Sequence, residues 1–226
     1  MKYILSGILA VTAIISSASA AVIDINASDN GWYRGDGLHT PSNNNTIVGR
    51  CCNNQTYRNW FAFDLSGISG NVTGATITFL TTGNYNSPDA SEIYQLNSYE
   101  GSITDLVAGG SGLVNIFDDL GDGDNYGSFE YFATQGMIQF SISLSLDALI
   151  DINSAINNID QRFAVGGMLA TLSQNTNEES LFSSSNLFPA AFLSLQVGPT
   201  AVSEPAPLAL LGLGLLGLGL MRRRNT

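Results

Sequence analysis

Between Met137 and Leu146 every second residue is apolar: Ile138, Phe140, Ile142, Leu144 and Leu146, with Ser or Gln between them. A period of two marks a strand that lays one face on a core and the other in solvent. The same period runs through Val72–Thr81 at Ala75, Ile77 and Phe79. It recurs in Glu92–Tyr99, which sets Ile93 and Gln95 on one face and Tyr94 and Leu96 on the other. Tyr57–Leu65 differs, because Trp60 and Phe61-Ala62-Phe63 make a nearly continuous apolar run, so it reads as a strand with Trp60 in the core. Arg162–Thr171 and Ala190–Val197 complete the set of predicted strands. Turn signals separate them, among them Asn30-Gly31, Gly35-Asp36-Gly37, Ser69-Gly70-Asn71 and Gly121-Asp122-Gly123. Many short strands with polar turns predict an all-β fold, a single β-sandwich.

One segment changes period. From Asp147 to Asn158 the apolar positions Leu149, Ile152 and Ile156, continued by Ile159, follow a 3-4-3 spacing and line one face of a helix. Asp147 is the expected N-cap and Asp151 lies in the early turns, where a carboxylate suits the helix dipole. A single short helix is therefore expected at an edge or end of the sandwich.

Both ends depart from this pattern. Lys2 precedes an apolar stretch from Ile4 to Ile15, then Ser-Ser and Ala18-Ser19-Ala20. A charged start, a short apolar run and small residues form a secretory signal peptide over 1–20, with cleavage by signal peptidase expected after Ala20. At the other end Val202-Ser203-Glu204-Pro205 precedes a 14-residue apolar run, Leu208–Met221, and a basic stop at Arg222, Arg223 and Arg224. Even 16 helical residues would reach only about 24 Å, against a hydrocarbon core of about 30 Å. Gly212, Gly214, Gly217 and Gly219 interrupt the run and favour close contact with another helix. The arginines hold that end on the cytoplasmic side.

This tripartite tail resembles the PEP-CTERM sorting signal of Gram-negative bacteria. Val202, Glu204 and Pro205 match three positions of the family's commonest Val-Pro-Glu-Pro motif, and Ser203 stands where its first proline would be. The resemblance implies that the export machinery delivers the chain to the inner membrane, where an exosortase recognises the tail and acts near Glu204-Pro205. It covers only the tail, the tether and sorting signal expected over 199–226.

Between the two signals lies one expected domain, 21–198. From Ala21 to Ala201 four arginines (Arg34, Arg50, Arg58, Arg162) face eighteen acids with no lysine, a balance of −14. Such a surface repels nucleic acid and anionic membrane, and suits cations or neutral glycans as partners. The segment Arg58-Asn59-Trp60-Phe61-Ala62-Phe63-Asp64-Leu65-Ser66, followed by Gly74-Ala75-Thr76-Ile77, is similar to a core seen in many exported PEP-CTERM proteins. It is also loosely similar to secreted jelly-roll modules of the DNRLRE type, which implies a jelly-roll-like sandwich at the cell surface.

Candidate chemistry is sparse. The sole histidine, His39, lies in a Gly/Asn/Ser-rich stretch and is expected to be solvated. A Ser-His-Asp relay would rest on it alone, and no Gly-x-Ser-x-Gly elbow accompanies it. The eighteen acids single out no glycosidase pair, so the expectation is not an enzyme. Cys51 and Cys52 are adjacent, in an oxidising compartment after export. Three readings stay open for them: a vicinal disulfide, two intermolecular bridges, or reduced thiols. Asp118-Asp119-Leu120-Gly121-Asp122-Gly123-Asp124 reads as an acidic loop, with Asp118, Asp119, Asp122 and Asp124 as candidate calcium ligands or simply solvated carboxylates. It lacks the residue order of an EF-hand. Trp32, Tyr33 and Tyr85, beside turn-like Asn and Gly residues, are candidate stacking platforms for a sugar. The expected role is an exported structural or adhesive protein of the surface or exopolysaccharide (biofilm) matrix, with a calcium-dependent carbohydrate-binding module as the alternative and a secreted hydrolase behind it.

Overall fold

The computed structural model describes residues 20–80, 85–136, 139–173, 178–182 and 190–198. Residues 1–19 of the expected signal peptide and the whole tail from residue 199, including the run 208–221, lie outside the described residues. Among those described, no helix is long and apolar enough to cross a membrane.

In chain order the elements are β1 (Ala21–Arg34), β2 (Val48–Cys51), β3 (Gln55–Asp64), β4 (Val72–Leu80), β5 (Tyr85–Asn86), β6 (Ser91–Ser98), α1 (Ile103–Ala108) and α2 (Val114–Asp122). They continue with β7 (Asn125–Phe132), β8 (Gln139–Ser143), α3 (Leu146–Ile156), β9 (Arg162–Leu169), β10 (Glu179–Leu181) and β11 (Ala191–Val197). All strand pairs are antiparallel. One sheet runs β1–β11–β4–β8, and the other runs β1–β3–β9–β6–β7 with a β2–β10–β5 ribbon beside the start of β3. The two sheets share β1: residues 21–26 pair with β11 and residues 27–34 pair with β3, with an irregularity between Ala27 and Asp29. A strand that changes sheet at a bulge curls the assembly into a β-sandwich.

Inward faces of both sheets meet in one core. Ile77 and Phe79 of β4, Phe140 and Ile142 of β8, and Leu193 and Leu195 of β11 face Phe61 and Phe63 of β3, Tyr94 and Leu96 of β6, and Val165 of β9. Aromatic rings dominate it, with Phe140 stacked on Phe129 at 4.3 Å and on Phe79 at 5.0 Å.

The apolar run in β3 has a second cause. Its opposite face, Trp60 and Ala62, packs with Tyr33 and Ala164 against Leu106 of α1 and Ile116, Phe117 and Leu120 of α2. β3 is thus buried on both sides, and a doubly buried strand needs no polar alternation. Helix α2 can lie that close because of Gly166, where a Cβ would sit 2.3 Å from the Leu120 carbonyl oxygen.

Several expectations shift. There are three helices among the described residues rather than one. The expected helix over 147–158 runs from Leu146 to Ile156, and its N-cap is Ser145, whose hydroxyl accepts the Ala148 N–H, not Asp147. Asp147 occupies the first turn instead. The strand expected over 137–146 is described from Gln139 to Ser143; Met137 and Ile138 lie outside the described residues, and Leu146 opens α3. In β6 the two faces divide as expected, with Tyr94 and Leu96 buried and Ile93 exposed.

Candidate functional site

Trp32 and Tyr33 are not loop residues. They lie in β1, paired with Asn59 and Arg58 of β3, because the Asn30-Gly31 signal falls inside a strand. Trp32 packs with Ile47, Cys51 and Tyr57, while Tyr33 is fully buried and its hydroxyl donates to the Leu106 carbonyl at 3.0 Å. Burial, with Asp105 adding to it, pushes the Tyr33 phenol up to about 12. Neither ring offers a free face to a sugar, which corrects the expectation for both. Tyr85 is half-buried in β5; its hydroxyl donates to the Asp89 carbonyl at 2.6 Å and its ring stacks on Tyr131.

The acidic loop is also corrected. Asp118, Asp119 and Asp122 belong to α2, whose apolar positions Ile116, Phe117 and Leu120 set the helix despite Gly121. Arg58 crosses its C-terminal end: Nη1 donates to the Phe117 and Asp118 carbonyls at 2.8 Å, Nη2 lies 3.6 Å from Asp122, and the guanidinium covers the Phe117 ring at 4.5 Å. Asp119 accepts the N–H groups of Glu100 and Gly101, while burial, the larger effect, raises its carboxyl. Asp124 follows the helix, and its N–H donates to Ser98 Oγ. Asp118, Asp122 and Asp124 are exposed and only Asp119 is half-buried, so the four acids lie on and just after a helix that Arg58 ties to β3, and do not converge in a loop.

Three other carboxylates come within 4.8 Å of one another: Asp89, Glu92 and Glu179. Glu92 and Glu179 are fully buried, yet both are already hydrogen-bonded. Glu92 accepts from Ser87 and Thr171, and Glu179 accepts from the backbone and hydroxyl of Ser173. Among the described residues these are the ones best placed to hold a cation, and no sequence spacing connects them. Cys51 and Cys52 are disulfide-bonded to each other, the first of the three open readings.

His39 is the largest departure. It is 3 % exposed, not solvated. The backbone of the 35–47 segment folds back along the outer edge of β1, through Arg34 N–H to Leu38 O and Asn30 Nδ2 to Asn44 O at 2.6 Å. His39 itself makes a two-way backbone bridge with Gly110. Its ring sits among Tyr33, Trp60 and Trp32, with centroids 4.9, 5.7 and 5.9 Å away. Burial lowers its basicity, and a hydrogen bond with the Trp32 backbone opposes this in part.

A cavity of about 300 Å³ opens beside this ring, lined by Ser28, Asp29, Asn30, His39, Trp60 and Val107 among others. Three of those residues carry a buried polar atom without a hydrogen-bond partner: Asn30 Oδ1, His39 Nδ1 and Trp60 Nε1. Each such atom costs about 1–3 kcal/mol. The Ser28 hydroxyl donates to the Ala62 carbonyl, so it forms no relay with the imidazole. Only Trp60 was legible as core; the convergence on His39 needs the fold of the 35–47 segment, which its polar composition hides.

With an all-β sandwich in place, the family match falls on the tail alone. Residues 201–224 match the PEP-CTERM protein-sorting motif. The chain therefore carries the signal for export and exosortase-dependent sorting at the membrane. No curated protein matches the sequence. Among solved structures, the K1 cleaved adhesin domain of Lys-gingipain from Porphyromonas gingivalis W83 is similar at 14% identity, covering 80% of this chain and 89% of that one, with a TM-score of 0.23. That score is too low to carry an argument.

Proposed function

We propose that this protein is a structural or adhesive component of the cell surface or extracellular polysaccharide matrix, and that it acts by binding rather than by catalysis. The sorting motif at 201–224 is the observation that carries the reading. The domain ahead of it is suited to display: a sandwich with a doubly covered central strand and a balance of four arginines to eighteen acids. An acidic surface without lysine stays dispersed among anionic polymers and leaves neutral glycan or protein partners accessible. In this reading signal peptidase frees Ala21, the tail holds the chain in the inner membrane, and exosortase acts near Glu204-Pro205. Calcium-dependent carbohydrate binding is the alternative form of the same surface role.

The test is fractionation of the producing cells, using a tag inserted after Gly198. Tagged protein is expected in the matrix fraction, and removal of the exosortase should leave it in the inner membrane. Tagged protein that stays membrane-bound in both strains sinks the matrix role.

A further inference from the structure

Apolar side chains left in water are not spread evenly over this domain. Among the described residues seven large ones are exposed, and four of them, Val22, Leu146, Ile150 and Ile159, lie at one end of the sandwich. The strand register defines that end. β1 begins there at Ala21, paired with Val197 at the end of β11, and Val197 pairs in turn with Val72 at the start of β4. Asn153 of α3 holds both backbone groups of Val72, accepting its N–H at 2.8 Å and donating to its carbonyl at 2.9 Å. Leu146, Ile150 and Asn153 follow at i, i+4 and i+7, so this clamp and the two exposed side chains share one face of the helix. Ile159 lies in the turn after α3, where the Gln161 carbonyl accepts the Leu65 N–H at the end of β3. The described chain leaves the domain at the same place: Gly198, its last residue, donates to the Asn71 carbonyl beside Val72 at 2.8 Å. From Gly198 to Leu208, where the apolar run begins, is ten residues of chain, which span at most about 35 Å.

We propose that, while the tail holds the chain in the inner membrane, this end of the sandwich rests on the bilayer, with Val22, Leu146 and Ile150 entering the headgroup layer. The inference rests on the reading of the tail as a membrane segment. A short tether raises the local concentration of the lipid surface. A contact of a few apolar side chains, too weak to recruit a free domain, therefore holds a tethered one. The contact is apolar rather than electrostatic, because four arginines against eighteen acids are repelled by anionic headgroups. It keeps the Glu204-Pro205 bond, no more than about 25 Å of chain from Gly198, close to the membrane surface. Once that bond is cut the tether no longer acts, and the domain leaves the bilayer.

The full chain would be reconstituted through its tail in phosphatidylcholine nanodiscs carrying a gadolinium-chelating headgroup lipid, and amide broadening read from its ¹H–¹⁵N spectrum. Amides of residues 146–150 and 69–72 are expected to broaden strongly. Those of Ile93 and Phe132, exposed at the opposite end of β6 and β7, should stay sharp. Leu146→Gln with Ile150→Gln is expected to cut this contrast about tenfold, and phosphatidylglycerol mixed into the disc should reduce it too. Should that variant melt early, Val22→Ser is read by the same criterion. Uniform broadening in a chain that stays with the discs, or an unchanged contrast in the folded variant, overturns the contact. Broadening that follows protein concentration also overturns it, marking instead a face between copies of the chain. A chain that does not enter the discs at all defeats the reading of the tail and this contact with it.

Discussion

The Tyr94 hydroxyl donates to Asn59 Oδ1 at 2.9 Å between two side chains that are both fully buried. Asn59 in turn donates from Nδ2 to the Thr46 carbonyl at 2.8 Å, so one side chain joins β6, β3 and the segment before β2. Gly167 makes room for the pair, since a Cβ there would sit 2.1 Å from Asn59 Oδ1 and 2.2 Å from the Tyr94 hydroxyl. Asn59→Ala strands two polar partners in a dry interior, at about 1–3 kcal/mol each. We expect urea unfolding to show a loss of about 3 kcal/mol for Asn59→Ala and less for Tyr94→Phe. The double variant should lose less than the sum, because both changes remove the same bond. Strict additivity would mean that the bond is not made in solution.

Arg58 presents a second prediction, because it meets the C-terminal end of α2 with two carbonyl bonds, an ion pair and a ring contact. Gly121 lets it lie there, since a Cβ at that position would come within 2.4 Å of the guanidinium carbon. A cation at a helix C-terminus is favourable, and the ring contact adds to it. Arg58→Ala is expected to cost about 2 kcal/mol. It should also speed amide exchange in α2 while leaving β4 and β11 protected. Lost protection throughout the sandwich would show that α2 does not open separately.

The expectation that Trp60 lies in the core of an apolar strand holds, but the reason for the unbroken apolar run was not visible in the sequence. Period-two alternation identifies β4, β6 and β8 because each has one dry face. The Trp60-Phe61-Ala62-Phe63 run only becomes intelligible once α1 and α2 cover the second face of β3. Helix α2 was hidden by its own Asp and Gly residues, which signal a turn when counted singly. The first half of β1 alternates at Ile23, Ile25 and Ala27, but Asn30-Gly31 reads as a stop and places Trp32 outside the strand. The cavity beside His39 brings together residues from β1, β3 and α1 with a polar segment, and no local pattern encodes that meeting.

The buried imidazole makes stability depend on pH in a definite direction. Burial holds His39 below its ordinary value of 6.5 in the folded protein, so it stays neutral where the unfolded chain takes up a proton. The unfolded state then binds more protons, and stability falls as pH drops from about 6.5 toward the folded value. Above about pH 7.5 both states are neutral and this contribution vanishes. His39→Gln should therefore show a flatter melting-temperature profile than the parent between pH 7 and 5. Direct titration of the His39 Cε1 proton should give a midpoint under 6.5; one at or above it would place the ring in solvent.

Cys51 and Cys52 differ in what they face. Cys51 is buried against Trp32, Ile47 and Tyr57 at the end of β2, whereas Cys52 is exposed and begins a turn in which Cys52, Asn53 and Asn54 all have positive φ, at 50°, 66° and 60°. Three consecutive left-handed residues without glycine are costly, and the bridge is a covalent constraint on the first of them. Neighbouring cysteines close the shortest possible loop, so little chain entropy is removed from the unfolded state. Reduction should accordingly cost well under the roughly 3 kcal/mol of a bridge across a 15-residue loop. The effect should be confined to amide signals of residues 48–57. Intact mass of the exported protein should be lower by two hydrogens than that of its reduced form, with monomer on a non-reducing gel and no alkylation before reductant. A covalent dimer on that gel would instead assign the cysteines to intermolecular bridges, and the turn would then have to be held by Asn53 and Asn54 alone.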